Sequence, residues 1–281
     1  MTKQSICAFG KPLKNKHSLL LEKQMSWVWR NKKWGLSLLL VLGLAAGVHA
    51  HAQAVAQAPV GQEDIRRTLD YFSNRRYRGV FHLFYALPIS LAEITTKTSV
   101  TGDSAMFIIE MKGFYTHTIE SCFSVRTGDP YWHRWRISSI FGKKDVFARF
   151  DNENKLAEYS RKESGKKDFS LTLRFDKQAY DPLSGLVYYL SQKNRTGKLE
   201  EGTVNMTILW YAGRIYNNVA IRIIKEKDEK RRVEVASTKK VNGYAVFDES
   251  GRPLGGEGFT VPVVGWISVY DVELKKKVPQ K

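Results

Sequence analysis

Cysteine is nearly absent. Two cysteines in 281 residues exclude a disulfide-dense scaffold and a four-thiolate zinc site. Proline is scarce, with eight residues, and glycine is ordinary, with 21. The chain is therefore neither collagen-like nor a low-complexity linker. Acidic residues are in deficit: 28 Asp and Glu face 45 Lys and Arg, a formal net charge of +17. Long apolar runs are missing as well. The uncharged run Gly35 to Val48 stops at 14 residues, short of the roughly 20 that a bilayer-spanning helix needs. What is present is 43% hydrophobic and 26% charged, the composition of a globular chain with a real core.

The short apolar run fits the hydrophobic region of a secretory signal peptide better than an uncleaved anchor. Arg30, Lys32 and Lys33 precede it, and Ala50, Ala52 and Ala54 follow at the small-residue spacing that signal peptidase reads. Cleavage is expected after Ala50 or Ala54, with Ala54 favoured. The first 24 residues are long for such a leader. Either Met25 is the true start or the leading basic region is extended. No cysteine stands at the cleavage point, so a lipoprotein signal is not expected. Removal through Ala54 leaves 37 basic and 27 acidic residues, a net of +10. A basic exported protein meets anionic glycans, lipid headgroups or wall polymers, or uses its charge for solubility alone. Nucleic acid is not an expected partner.

Residues 55–74 read as an Ala/Gln/Pro-rich linker followed by a short helix, in which Ile65, Leu69 and Phe72 form one stripe. From Tyr77 the period changes. GVFHLFYAL, SLAEITTKTSV, SAMFIIEMKG and FYTHTIESCFSV are rich in β-branched and aromatic residues. Arg134 to Phe150, Lys155 to Arg161 and Phe169 to Phe175 continue in that style, as do Thr203 to Tyr211, Ile215 to Ile224 and a last strand around Trp266 to Leu274. Ala212-Gly213-Arg214 reads as a hairpin turn. Lys225 to Arg232 mixes signs, as a solvated hairpin tip does. The reading is mainly β: one domain over residues 75–275, built as a curved antiparallel sheet or open β-barrel with one short packed helix, ending in a basic tail at 276–281.

That helix opens at Asp181-Pro182, an N-cap residue before a proline at the first helical position. Leu183, Leu186, Val187 and Leu190 give it one apolar face, to be laid against the sheet. The segment YDPLSGLVYYL resembles the helix motif of an exported bacterial family of unknown function, DUF3108. Asp181, Pro182, Leu183, Ser184, Leu186, Tyr188, Tyr189 and Leu190 match it. Ile119-Glu120-Ser121 and SRKESGKKDFSLTLRFD are similar to that family's preceding order, and the likeness spans residues 75–275. Ser191 departs from the arginine that ends the family's helix, and Phe259 to Ile267 echoes its late strands only loosely. The resemblance implies an exported β-rich protein and carries no activity.

Catalytic patterns are thin. No G-x-S-x-G elbow occurs. His82, His117 and His133 stand alone in strand text, where a structural or surface role is commoner than a catalytic one. His117 and Cys122 lie five apart, on opposite faces of a strand, so no metal site is legible. Cys122 reads as a small buried strand residue. Gly255-Gly256-Glu257-Gly258 lacks the Lys-Ser/Thr of a phosphate loop, and no cofactor is expected. The densest basic-aromatic cluster is Tyr131 to Arg136. Alternation puts Trp132, Arg134 and Arg136 on one face, which suits a sugar ring or an anionic headgroup, or else a strand whose arginine stems cover its outer side.

Function is therefore expected to be binding. The leading expectation is a non-enzymatic protein of a bacterial envelope, in the periplasm of a Gram-negative cell and soluble once its leader is removed. It would hold a lipid or other amphipathic ligand in a curved sheet. The alternative is a structural protein contacting anionic envelope polymer or another envelope protein. A hydrolase with a dispersed site is the weakest reading.

Overall fold

Alternating burial along successive strands builds this protein, because a sheet with one covered face buries every second side chain. The computed structural model describes residues 60–83, 87–113, 115–140, 142–236, 244–261 and 265–272. The signal-peptide region, including Ala54, and the tail lie outside the described residues. The described residues form one 15-stranded sheet with two α-helices on its concave side.

Two meanders make up the sheet. The first runs outward through β1 (Arg75–Leu83), β2 (Leu87–Thr101), β3 (Ser104–Gly113), β4 (Thr116–Ser124), β5 (Pro130–Ser139), β6 (Gly142–Asp151), β7 (Leu156–Glu163) and β8 (Phe169–Arg174). The second starts at the opposite edge. Its strands are β9 (Ala179–Tyr180), β10 (Gly202–Trp210), β11 (Arg214–Lys225), β12 (Arg231–Ala236), β13 (Tyr244–Phe247), β14 (Pro253–Val261) and β15 (Gly265–Asp271). It returns until β15 pairs with β1. The spatial order is β8-β7-β6-β5-β4-β3-β2-β1-β15-β14-β13-β12-β11-β10-β9. The sheet is open, with β8 and β9 at its edges. Pairing is antiparallel throughout except for β9 with β10, which is parallel. The strand-like stretch Arg134 to Phe150 holds the second half of β5 and most of β6.

Curvature brings the far ends together. The turn after β10 carries Tyr211 into the concave face of the first meander. Its ring packs 5.2 Å from both His133 and Trp135 on β5, and its carbonyl accepts the Tyr159 hydroxyl of β7 at 3.0 Å.

The helix α1 (Gln62–Phe72) belongs to this core. Ile65, Leu69 and Phe72 are buried, and the Phe72 ring packs against Phe107 and edge-on against Phe247. Sequence periodicity places this helix in a connector ahead of the domain. It is packed because its apolar stripe has the concave face of β2 and β3 to cover. The helix α2 (Pro182–Lys193) links the meanders and must cross the concavity to do so. One apolar face laid on the sheet was expected. Instead Leu183, Ser184, Gly185, Leu186, Val187, Tyr189, Leu190 and Ser191 are all buried, so the helix is enclosed around nearly its whole circumference. Its small and hydroxyl residues are the ones that let neighbours approach: a Cβ on Gly185 would stand 3.1 Å from Ile208 and 3.2 Å from Tyr180.

Two glycines separate a local from a tertiary requirement. Gly102 has φ +59 in the β2–β3 turn with open space around it, whereas a Cβ on Gly255 would lie 2.1 Å from the Val269 carbonyl oxygen across the β14–β15 pair. Gly102→Ala is expected to cost about 1 kcal/mol, the strain of the left-handed backbone alone. Gly255→Ala should cost several times more, because backbone must move. Urea unfolding of both variants measures the difference, and equal losses would refute this account.

Candidate functional site

The most polar part of the interior lies at the start of α2. Asp181 is fully buried. One carboxylate oxygen accepts the backbone N–H of Leu183 at 2.9 Å and of Ser184 at 3.3 Å, the N-cap its sequence announces. The other accepts the hydroxyl of Ser121 on β4 at 2.7 Å. Helix and sheet are thus joined through one side chain. Ser121 pairs across the β4–β5 ladder with His133. The His133 ring is fully buried between Phe150 and Tyr211, and neither ring nitrogen meets a hydrogen-bond partner. Burial pulls its pKa down to about 4 against the opposing charge of Asp181, so the ring is neutral at pH 7. Burial likewise lowers His117 to about 4 and pushes the Tyr211 phenol well up.

Serine, histidine and aspartate therefore meet, but not in the order of a nucleophile activated by a base. The serine donates directly to the carboxylate, and the carboxylate is committed to capping. The sequence names Asp181 as a cap and passes over Ser121, since a pairing across 60 residues leaves no local signal. The other motif residues follow the same logic. Pro182, Leu183, Leu186 and Leu190 are buried along α2, and the Tyr189 hydroxyl donates to the Gly202 carbonyl at 2.9 Å. Tyr188 is half-buried and stacks on Tyr180 at 5.2 Å. Cys122 was expected to be buried, yet it shares the outward parity of β4 with Thr118 and Glu120 and is half-exposed. Arg231, expected on a solvated tip, is buried with its Nε donating to the Leu199 carbonyl at 2.8 Å. The side chain of His82 lies outside the described residues. Among the described residues no cluster of His, Cys, Asp and Glu has the arrangement of a metal site.

Trp132, Arg134 and Arg136 do share one face of β5, the outer one, while His133 and Trp135 are buried. Arg134 is held by both oxygens of Asp145 at 3.0 and 2.6 Å. That pairing keeps the Asp145 carboxyl below the usual range. Arg136 donates to Glu120 at 2.5 Å, and Trp132 stacks on Phe147. The arginines' charge is spent within the sheet, an arrangement that braces three neighbouring strands.

A third feature lies at one end of the sheet. β3 pairs with β2 only as far as Gly113 opposite Ala92 and then turns, so β2 runs on from Ala92 back to Leu87 without it. Beyond that line β2, β1, β15 and β14 continue side by side: Leu87–Ile89 on Phe81–Leu83, these on Gly265–Ile267, and these on Phe259–Val261. These segments contain no Asp, Glu, Lys or Arg. The helices lie elsewhere. Their hydrogen bonds to the sheet run from its middle, at Thr96 and Ser121, to the opposite end, at Gly102, Gly202 and Ser250.

Comparison with known proteins supplies a fold likeness and no family. No family model matches the chain, and no curated protein matches it. Among solved structures it is similar to a β-barrel-like protein of the domain of unknown function DUF1849 from Brucella abortus. Identity is 8%, over 71% of this chain and 96% of that one, with a TM-score of 0.42. It is similar also to a DUF1089 family protein from Pseudomonas aeruginosa, at 7% identity over 74% and 95%, with a TM-score of 0.33. Likeness at this level carries no functional argument. Among the described residues no helix is long and apolar enough to cross a membrane.

Two outcomes follow for the buried centre. Asp181→Ala removes the cap and strands the Ser121 hydroxyl. It is expected to destabilise by about 2–4 kcal/mol, and Ser121→Ala by about 1–2 kcal/mol, in urea titrations; a neutral Asp181→Ala would remove Asp181 as the anchor. The folded state also disfavours protonated His117 and His133, so the unfolded chain takes up protons first. Their contribution to stability is whole above about pH 6.5, and it is lost as pH falls toward 4. His133→Phe should flatten the fall of the urea midpoint across that window, and an unchanged slope would contradict the assignment.

Proposed function

We propose that this protein is exported to a bacterial envelope, the periplasm of a Gram-negative cell, where it acts as a non-enzymatic binding protein for a lipid or similarly amphipathic ligand. The observation that carries this is the charge-free end of β2, β1, β15 and β14. Both helices are hydrogen-bonded to the middle and the opposite end of the sheet. A curved sheet half filled by its own helix and half lined by apolar strands suits a ligand with a hydrocarbon part. The leader-like segment supports export, and the DUF3108 resemblance agrees with it. Contact with anionic polymer through Trp132, Arg134 and Arg136 is less favoured, because Asp145 and Glu120 already engage both arginines.

Native mass spectrometry of the protein, recovered without detergent from exported expression, tests the reading. The expected result is a reproducible adduct of lipid mass that organic extraction releases. A clean mass of the chain alone, with no uptake of added fatty acid or phospholipid, would overturn it.

A further inference from the structure

The two ends of this sheet differ in kind, and the topology makes the difference exact in sequence. In an antiparallel meander alternate turns fall on opposite rims. One rim receives the turns after β2, β4, β6, β11 and β13. They read Gly-Asp, Val-Arg-Thr-Gly-Asp, Asn-Glu-Asn-Lys, Glu-Lys-Asp-Glu-Lys and Asp-Glu-Ser-Gly-Arg. That rim is polar, with acidic residues in every turn. The other rim receives the turns after β1, β3, β5, β7, β10, β12 and β14. Among the described residues of these turns, Tyr115, Ile140, Ser164 to Asp168 and Tyr211 to Gly213, the one acidic residue is Asp168.

Exposure agrees where side chains are described. Ile140, at the tip between β5 and β6, is 90% exposed. Tyr115, beside the β3–β4 turn, and Phe169, which opens β8 on the same rim, are exposed too. These are three of the five large exposed hydrophobic residues among the described ones. Ile140 at its hairpin contributes nothing to the core, and with Tyr115 and Phe169 it gives this rim several exposed apolar side chains rather than one. Exposed lysines stand beside these tips: Lys112 next to the β3–β4 turn, Lys143 next to the β5–β6 turn, and Lys166 and Lys167 before Phe169.

We propose that this rim docks on a lipid bilayer bearing anionic headgroups. Aromatic and aliphatic turn tips would enter the headgroup boundary, and the flanking lysines would rest on the phosphates. Aromatic rings and lysines at a membrane interface serve these two purposes. The rim is also where the apolar strands of β2, β1, β15 and β14 end, so docking would present the proposed lipid-binding end of the sheet to the bilayer. In that sense the inference rests on the function proposed above, although either can fail alone.

Co-sedimentation with vesicles tests it, using equal parts phosphatidylglycerol and phosphatidylcholine against phosphatidylcholine alone. The exported protein is expected to bind the anionic vesicles and to release with added salt. The pair Tyr115→Ser and Ile140→Ser should weaken binding about tenfold, and the pair Lys112→Glu and Lys143→Glu at least as much. Lys227→Glu with Lys230→Glu makes the same change of net charge on the polar rim and should leave binding unaltered. No binding, or equal losses on the two rims, would overturn the proposal. A protein that carries lipid in native mass spectrometry yet ignores vesicles would retain its proposed function and lose this docking surface. Binding to vesicles by a protein that never retains lipid would leave the reverse.

Discussion

The sheet depends on one buried carboxylate. The β1–β15 pairing makes the two meanders one sheet, and the segment that links them across the concavity is held there by Asp181. It caps α2 with one oxygen and receives Ser121 of β4 with the other. Everything else about the crossing follows. A helix enclosed on nearly all sides cannot present a charged face, so the small hydroxyl residues buried along it are Ser184 and Ser191, which bond to the Asp181 and Val187 carbonyls. Ser191 also reaches Thr68 at 2.9 Å, tying α1 to α2. A helix terminus inside a protein is tolerable only when its free N–H groups are met, and a carboxylate meets them more strongly than a neutral acceptor.

Enclosing that helix shapes the remaining space. α1 and α2 are bound to the sheet from its middle toward the polar rim, where Arg66 reaches the Gly102 carbonyl and Asn194 the Ser250 carbonyl. The opposite end is left to strands. There charge disappears from the paired segments, and four strands extend past β3. A curved sheet plugged at one end and apolar at the other has a direction, and the binding and docking readings both follow from it. The paired arginines of the outer face fit the same picture. Their carboxylate partners brace β4, β5 and β6 against one another, as a wide sheet open at both edges requires.

Much of the fold was legible in the chain. The change of period near Tyr77, the Asp181-Pro182 start of α2 and the hairpin after β10 rest on local patterns, and local patterns survive in a linear text. The burial of one face of β5 was legible too, because side chains alternate along a strand whatever it pairs with. The illegible parts are non-local. The meeting of Ser121 with Asp181, the insertion of Tyr211 beside His133 and the burial of Arg231 each join residues far apart in sequence. Cys122 was misplaced for a related reason. Residue type suggested burial, but parity decides which side of a strand is covered, and Cys122 shares its parity with Thr118 and Glu120.

By itself, then, the sequence determined strand content, the capped helix and the uncharged character of certain turns, since each depends on residues within a few positions of one another. Only the tertiary structure decided that the helix is surrounded rather than laid on a surface, that α1 joins the core, and that the apolar turns collect on one rim while the acidic ones collect on the other. The physical reason is pairing. Register and the antiparallel sense of neighbouring strands set which turns become neighbours in space, and no residue carries that information alone.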